Sequence, residues 1–133
     1  MAKAKILYID DSYDIQKIVT ERLVANGYEV IGALNAELGI KLAIEQQPDL
    51  ILLDVAMPET DGFSAGRQLR ATLATGHIPI IMVTAKGEYY DRLKAISELK
   101  VQGYVTKPFN PKYLLEEIHR VLSESLPKKQ EDE

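Results

Sequence analysis

Apolar residues fall along this chain in two alternating rhythms. Short runs at KILYI (5–9), YEVIGA (28–33), DLILL (49–53), IPIIMV (78–83) and GYVT (103–106) have strand length and are rich in β-branched residues and tyrosine. Between them apolar positions recur three and four residues apart, which predicts one buried face per helix. The first such set is Ile15, Ile18, Val19 and Leu23, and the second is Ile40, Ala43 and Ile44. Phe63, Gly66, Leu69 and Leu73 form the third, Leu93 and Ile96 a weaker fourth, and Leu114, Ile118, Val121 and Leu122 the fifth. The predicted order is βαβαβαβαβα. Strands this continuously apolar belong in a parallel sheet covered by helices on both faces. All six prolines fall at element boundaries: Pro48 closes the second helix, Pro79 opens the fourth strand, and Pro111 follows Asn110 as a first-turn proline after an N-cap. The pattern predicts one domain over residues 1–126, with no repeat or internal linker. The polar residues 127–133 read as a disordered tail.

Composition removes several function classes. At 133 residues the chain is long enough for a core that buries about two thirds of the surface exposed when unfolded. Without cysteine there is no disulfide, thiolate metal site or thiol nucleophile. The net charge of −4, with lysines and arginines scattered, argues against nucleic acid as a partner. No apolar stretch reaches membrane-spanning length, and MAKAKILYIDD has no signal-peptide core ahead of its acids. A soluble, cytoplasmic protein with no membrane insertion is expected.

The candidate chemistry sits where the strands end. In an open parallel sheet all strands finish on one edge, and ligands bind where the strand order reverses. LYIDD ends in Asp10 and Asp11, and LILLD in Asp54. With strand order 2-1-3-4-5, strands one and three flank the crevice and the three carboxylates face one another. Like charges about 4 Å apart repel by roughly 4 kcal/mol at an effective dielectric of ~20. A divalent cation relieves this, and an oxygen-only site with room for water suits Mg²⁺. Removing Asp10 or Asp11 is then expected to relieve repulsion and leave the fold intact. Taken singly, each acidic stretch reads equally well as a helix cap or loop start; the two together favour a site. The fourth strand brings Thr84 to the same edge and the fifth brings Lys107, a hydroxyl and an ammonium suited to phosphate or carboxylate.

These residues, in this order, carry a resemblance. Over residues 4 to 124 the acidic pair Asp10-Asp11, the segment DVAMPETDG beginning at Asp54, Thr84-Ala85 and YVTKPF from Tyr104 to Phe109 resemble a response-regulator receiver domain of the single-domain chemotaxis-regulator type. The resemblance implies a flavodoxin-like (βα)₅ fold and a place in two-component phosphorelay signalling. Asp54 would accept a phosphoryl group from a sensor histidine kinase or histidine phosphotransfer protein, and the changed surface of the fourth helix, fifth strand and fifth helix would control a downstream effector protein. It also implies that Asp11 binds Mg²⁺ directly, Asp10 mainly through water, and Asp54 and the Ala56 carbonyl complete the protein ligands. Lys107 would pair with the phosphoryl group, Thr84 would hydrogen-bond it, Tyr104 would change rotamer, and Lys107-Pro108 would be cis. On this comparison the chain carries no output domain and catalyses only its own phosphorylation and slow dephosphorylation.

Other readings are weaker. A Mg²⁺-dependent phosphohydrolase needs a second acid/base carboxylate near the nucleophile, which DVAMP does not supply. An FMN carrier fails because DDSYD would repel the cofactor's phosphate. His77 and His119 lack a second histidine at ligand spacing. Lys100-Val101 stands where the family often has Gly-Ala, so the end of the fourth helix is expected to shift.

Overall fold

The computed structural model describes residues 4–54, 62–85, 95–107 and 110–125, with the backbone alone at Gly62, Phe63, Thr84, Ala85, Ala95 and Ser125. Five strands, β1 (Lys5–Ile9), β2 (Glu29–Ala33), β3 (Leu50–Asp54), β4 (Ile80–Ala85) and β5 (Gly103–Lys107), alternate with helices. These are α1 (Tyr13–Ala25), α2 (Ala36–Gln46), α3 (Gly62–Ala71), a π-helical turn labelled α4 (Ala95–Leu99) and α5 (Pro111–Ser125). The sheet order is β2-β1-β3-β4-β5, and every neighbouring pair is parallel. This is the expected flavodoxin-like arrangement. Among the described residues, no helix is long and apolar enough to cross a membrane.

Strand alternation divides the core in two. Leu7, Ile9, Ile51, Leu53, Ile80 and Met82 pack on one face with Ala43 of α2, Ala65 and Leu69 of α3 and Leu99 of α4. Ile6, Tyr8, Leu50, Leu52, Ile81, Val83 and Val105 pack on the other with Val19 and Leu23 of α1 and Leu114, Ile118 and Val121 of α5. Both faces are apolar because both are covered, which is why the strands read as unbroken runs.

Helix ends follow local chemistry. Ser12 caps α1 by accepting from the Ile15 N–H, and Asn35 caps α2 by accepting from that of Leu38. Asn110 accepts from the Lys112 N–H beside Pro111, as the sequence suggests. Gln47 ends α2 at φ 48°, ahead of Pro48.

Four sequence expectations need correction. The buried face of α1 is Gln16, Val19 and Leu23, and Ile18 is 64% exposed. The phase is set by the Gln16 amide, which reaches the backbone of two strands. Leu73 is 97% exposed because α3 ends at Ala71, before the helical period would turn it inward. Ile44 and Ile96 are also exposed, while Ala43 carries the contact of α2 and Leu99 that of α4. The shift foreseen around Lys100 takes a definite form: the π turn ends and Lys100 adopts φ 54°, the left-handed region where glycine is usual.

Candidate functional site

Period-two alternation aims three polar side chains at one place. Tyr8 and Asp10, Leu52 and Asp54, and Val105 and Lys107 each fall on one face of their strand, the face packed by α1 and α5. Register then brings them level: Ile9 pairs with Leu53, so Asp10 and Asp54 follow side by side at the reversal of strand order. Carboxylate oxygens of Asp10, Asp11 and Asp54 all lie within 4.8 Å of one another. Asp10 and Asp54 are buried and Asp11 is exposed.

Lys107 bridges the two buried acids. Its Nζ lies 3.1 Å from Asp10 Oδ2 and 3.5 Å from Asp54 Oδ2. The same Asp10 oxygen accepts from the Tyr8 hydroxyl at 2.8 Å, while Asp10 Oδ1 accepts from the Ser12 N–H at 2.9 Å. Asp10 is therefore a buried carboxylate served by three donors. Against the expectation that its removal relieves repulsion stand those donors, which would lose their acceptor. Nor do the acids themselves cap α1; Ser12 does.

Tyr8 and Gln16 are functional neighbours that sequence reasoning missed. Gln16 Nε2 donates to the carbonyls of Tyr8 (3.2 Å), Asp10 (3.3 Å) and Ala33 (3.0 Å), fixing the main chain that carries the acids. Its signal was a polar residue three and seven positions before Val19 and Leu23; that of Tyr8 was its place two residues before Asp10 in a strand. Burial first, then the charge and hydrogen bond of Asp10, then the charge of Asp54, push the Tyr8 phenol far above the usual tyrosine range. It remains a donor at any ordinary pH.

Three carboxylates and one ammonium leave this cluster, among the described residues, with a formal charge of −2. All donors are oxygens and one acid is open to water, so the set fits a hard divalent cation such as Mg²⁺. Thr84 and Ala85 end β4 in register with Thr106 and Lys107. Tyr104 pairs with Met82 and packs, partly buried, against the core face opposite Lys107, lining a groove with Ile96, Val101 and Tyr113. Ala56 and Pro108 lie outside the described residues.

Comparison with known proteins agrees with this geometry. The family model for the response regulator receiver domain matches residues 6–119. The chain is 42% identical over 120 residues to a probable transcriptional regulator, ycf27, of Porphyra purpurea, covering 90% of this chain and 48% of that protein. It is 36% identical over 127 residues to the phosphate regulon transcriptional regulatory protein PhoB of Pseudomonas aeruginosa, covering 96% and 55%. The chain thus spans about half the length of these curated relatives. Among solved structures, Vibrio cholerae chemotaxis protein CheY4 superposes with a TM-score of 0.84 at 32% identity, covering 90% of this chain and 99% of that one. A CheY-like receiver domain protein from Methanospirillum hungatei gives 0.86 at 27% identity, covering 93% and 97%. With acids, lysine and strand order in these places, the chain belongs to the response regulator receiver domain family.

Proposed function

We propose that Asp54 is the phosphoacceptor of a phosphorylation-dependent switch, supplied by a sensor histidine kinase or histidine phosphotransfer protein and read by a downstream effector protein in the cytoplasm. The observation that carries this reading is the convergence of Asp10, Asp11 and Asp54 within 4.8 Å, with Lys107 bridging the two buried members. An Asp54 carboxylate oxygen attacks phosphorus in line, a P–O bond forms as the donor's P–N bond breaks, and the departing imidazole nitrogen keeps the electron pair and takes a proton. Lys107 already lies beside Asp54 and can follow the transferred charge. Asp10, Asp11, Asp54 and the Ala56 carbonyl are the residues that would hold Mg²⁺, which when bound would spread the charge of the transferring group. Activity of the chain is confined to its own phosphorylation and slow dephosphorylation, and the chain itself binds no nucleic acid.

Thr84 and Tyr104 are the proposed couplers. A phosphoryl group that draws in the Thr84 hydroxyl would let the Tyr104 ring move and reshape the surface of α4, β5 and α5. Driving such a switch from mostly off to mostly on takes about 5.5 kcal/mol of differential stabilisation, within reach of one phosphoryl group with charge-assisted contacts.

Intact mass spectrometry after treatment with acetyl phosphate and Mg²⁺ tests the assignment. Wild type should gain one hydroxylamine-labile phosphoryl group and Asp54→Asn none; equal labelling of both would refute it.

A further inference from the structure

Tyr8 takes no part in the proposed transfer, yet its placement is unusual for a core residue. It is fully buried next to the last residue of β1, among Leu23, Leu52 and Ile118 of the α1 and α5 face. Phenylalanine would fill the same volume without bringing a hydroxyl that needs a partner. Here the partner is Asp10 Oδ2 at 2.8 Å.

Asp10 is held by donors from three separate parts of the chain: Tyr8 in β1, the Ser12 main chain at the start of α1, and Lys107 at the end of β5. The three are not equivalent. Lys107 is shared with Asp54, sits on a flexible stem, and is the group that a phosphoryl on Asp54 would attract. When it moves, Tyr8 is, among the described residues, the side-chain donor that remains on Oδ2. The tyrosine ring is wedged in the core and its hydroxyl can shift little.

From this geometry we propose that Tyr8 is a positioning residue of the cation site, whose hydroxyl locks the Asp10 carboxylate so that it meets a hydrated divalent cation already oriented. The proposal rests on reading the acid cluster as a Mg²⁺ site. Partners of metal-binding carboxylates are typically worth 10- to 100-fold in metal affinity, and an acid acting through water belongs at the low end, about tenfold.

The test is a Mg²⁺ titration of wild type, Tyr8→Phe and Val19→Ala, followed on backbone amides by NMR. Val19→Ala disturbs the same core cluster without touching Asp10. Tyr8→Phe should bind Mg²⁺ about tenfold more weakly, while its labelling rate by acetyl phosphate at saturating Mg²⁺ stays within about twofold of wild type. Val19→Ala should keep the wild-type Mg²⁺ constant. A Tyr8→Phe constant equal to wild type, or an equal shift in Val19→Ala, overturns the positioning role. Should Tyr8→Phe not fold, ¹³Cζ-labelled tyrosine in the wild-type protein gives an independent reading: the Tyr8 signal should move with the same constant as the Asp11 amide, and a stationary signal overturns the role. A wild-type protein that ignores Mg²⁺ overturns the cation site and this inference together; one that responds while Tyr8→Phe matches it overturns the inference alone.

Discussion

Two charges are drawn into this fold at opposite edges of the sheet, and the chain treats them differently. At the amino edge Arg70, in the last turn of α3, donates through Nε to the Leu99 carbonyl at 2.7 Å. One terminal nitrogen reaches the carbonyls of Gly76 at 3.1 Å and Ile78 at 2.6 Å, and the other reaches Lys100 O at 3.4 Å and Gln102 Oε1 at 3.1 Å. A guanidinium has five N–H donors, and all five have an acceptor. Burial lowers the Arg70 pKa, and among the described residues neutral oxygens hold the cation by hydrogen bonding. At the carboxyl edge the acids are also fixed in place, yet among the described residues Lys107 neutralises only part of their charge. A saturated charge is structural, because it offers a ligand nothing. A positioned and only partly neutralised one can take a cation from solution, and that is the property the proposed phosphoryl switch requires.

The strongest way to break this contrast is to remove Arg70. Arg70→Met should cost about 3 to 4 kcal/mol in urea unfolding, since four carbonyls lose the charged donor and Gln102 Oε1 keeps only the Ile80 N–H, and Arg70→Lys should recover less than half because an ammonium cannot reproduce the fork. Neither should alter Mg²⁺ affinity. A cost below about 1 kcal/mol would mean that water replaces the guanidinium easily and that Arg70 is no keystone.

At the other edge the two neighbouring aspartates should separate. Asp10→Ala leaves the Tyr8 hydroxyl and Ser12 N–H without their acceptor and should lose about 2 to 3 kcal/mol, whereas exposed Asp11→Ala should stay within about 0.5 kcal/mol of wild type or gain stability. Mg²⁺ affinity should fall more for Asp11→Ala. Urea midpoints and amide titrations of both variants decide it; equal stabilities would return Asp10 to a merely repulsive role.

Alkaline pH sharpens the same point. The folded-state pKa of Tyr8 is raised above its ordinary value of 10.0, so its contribution is complete below that pH and disappears as pH rises past it, when the unfolded chain releases the proton first. Between about pH 11 and pH 12 wild type should lose about 1.3 kcal/mol more than Tyr8→Phe does. Parallel stability curves for the two proteins would show that the phenol ionises freely in the fold.

The smallest expected effect is at Gly32. A Cβ there would overlap Gln16 Oε1 and push the amide from the carbonyls of Tyr8, Asp10 and Ala33. Gly32→Ala should cost about 1 kcal/mol by urea denaturation, since the end of a glutamine can move, and should weaken Mg²⁺ binding slightly. An unchanged midpoint would show the clamp to be dispensable.

What could be read from the sequence was whatever local pattern decides. β1 spans Lys5–Ile9 as the apolar run indicates, and the acids at two strand ends, with Lys107 at a third, meet as the strand order requires. What could not be read depends on partners distant along the chain. Ile18 looks more buried than Gln16 by hydropathy, but three carbonyls from two strands turn Gln16 inward. Arg70 reads as an ordinary surface arginine in the last turn of α3, because its acceptors lie up to 32 residues away. Tyr8 reads as a strand residue until the hydroxyl is seen against Asp10.

The most direct test of the contrast is one titration of wild-type protein with Mg²⁺, followed on every assigned backbone amide. A single binding event should move Asp10, Asp11, Ser12, Asp54 and Lys107 and leave Gly76, Ile78, Leu99 and Gln102 still. Shifts spread equally over the Arg70 edge, or no saturable shift at the acids, would contradict the claim that, of these two edges, the carboxyl one holds charge in wait for a cation.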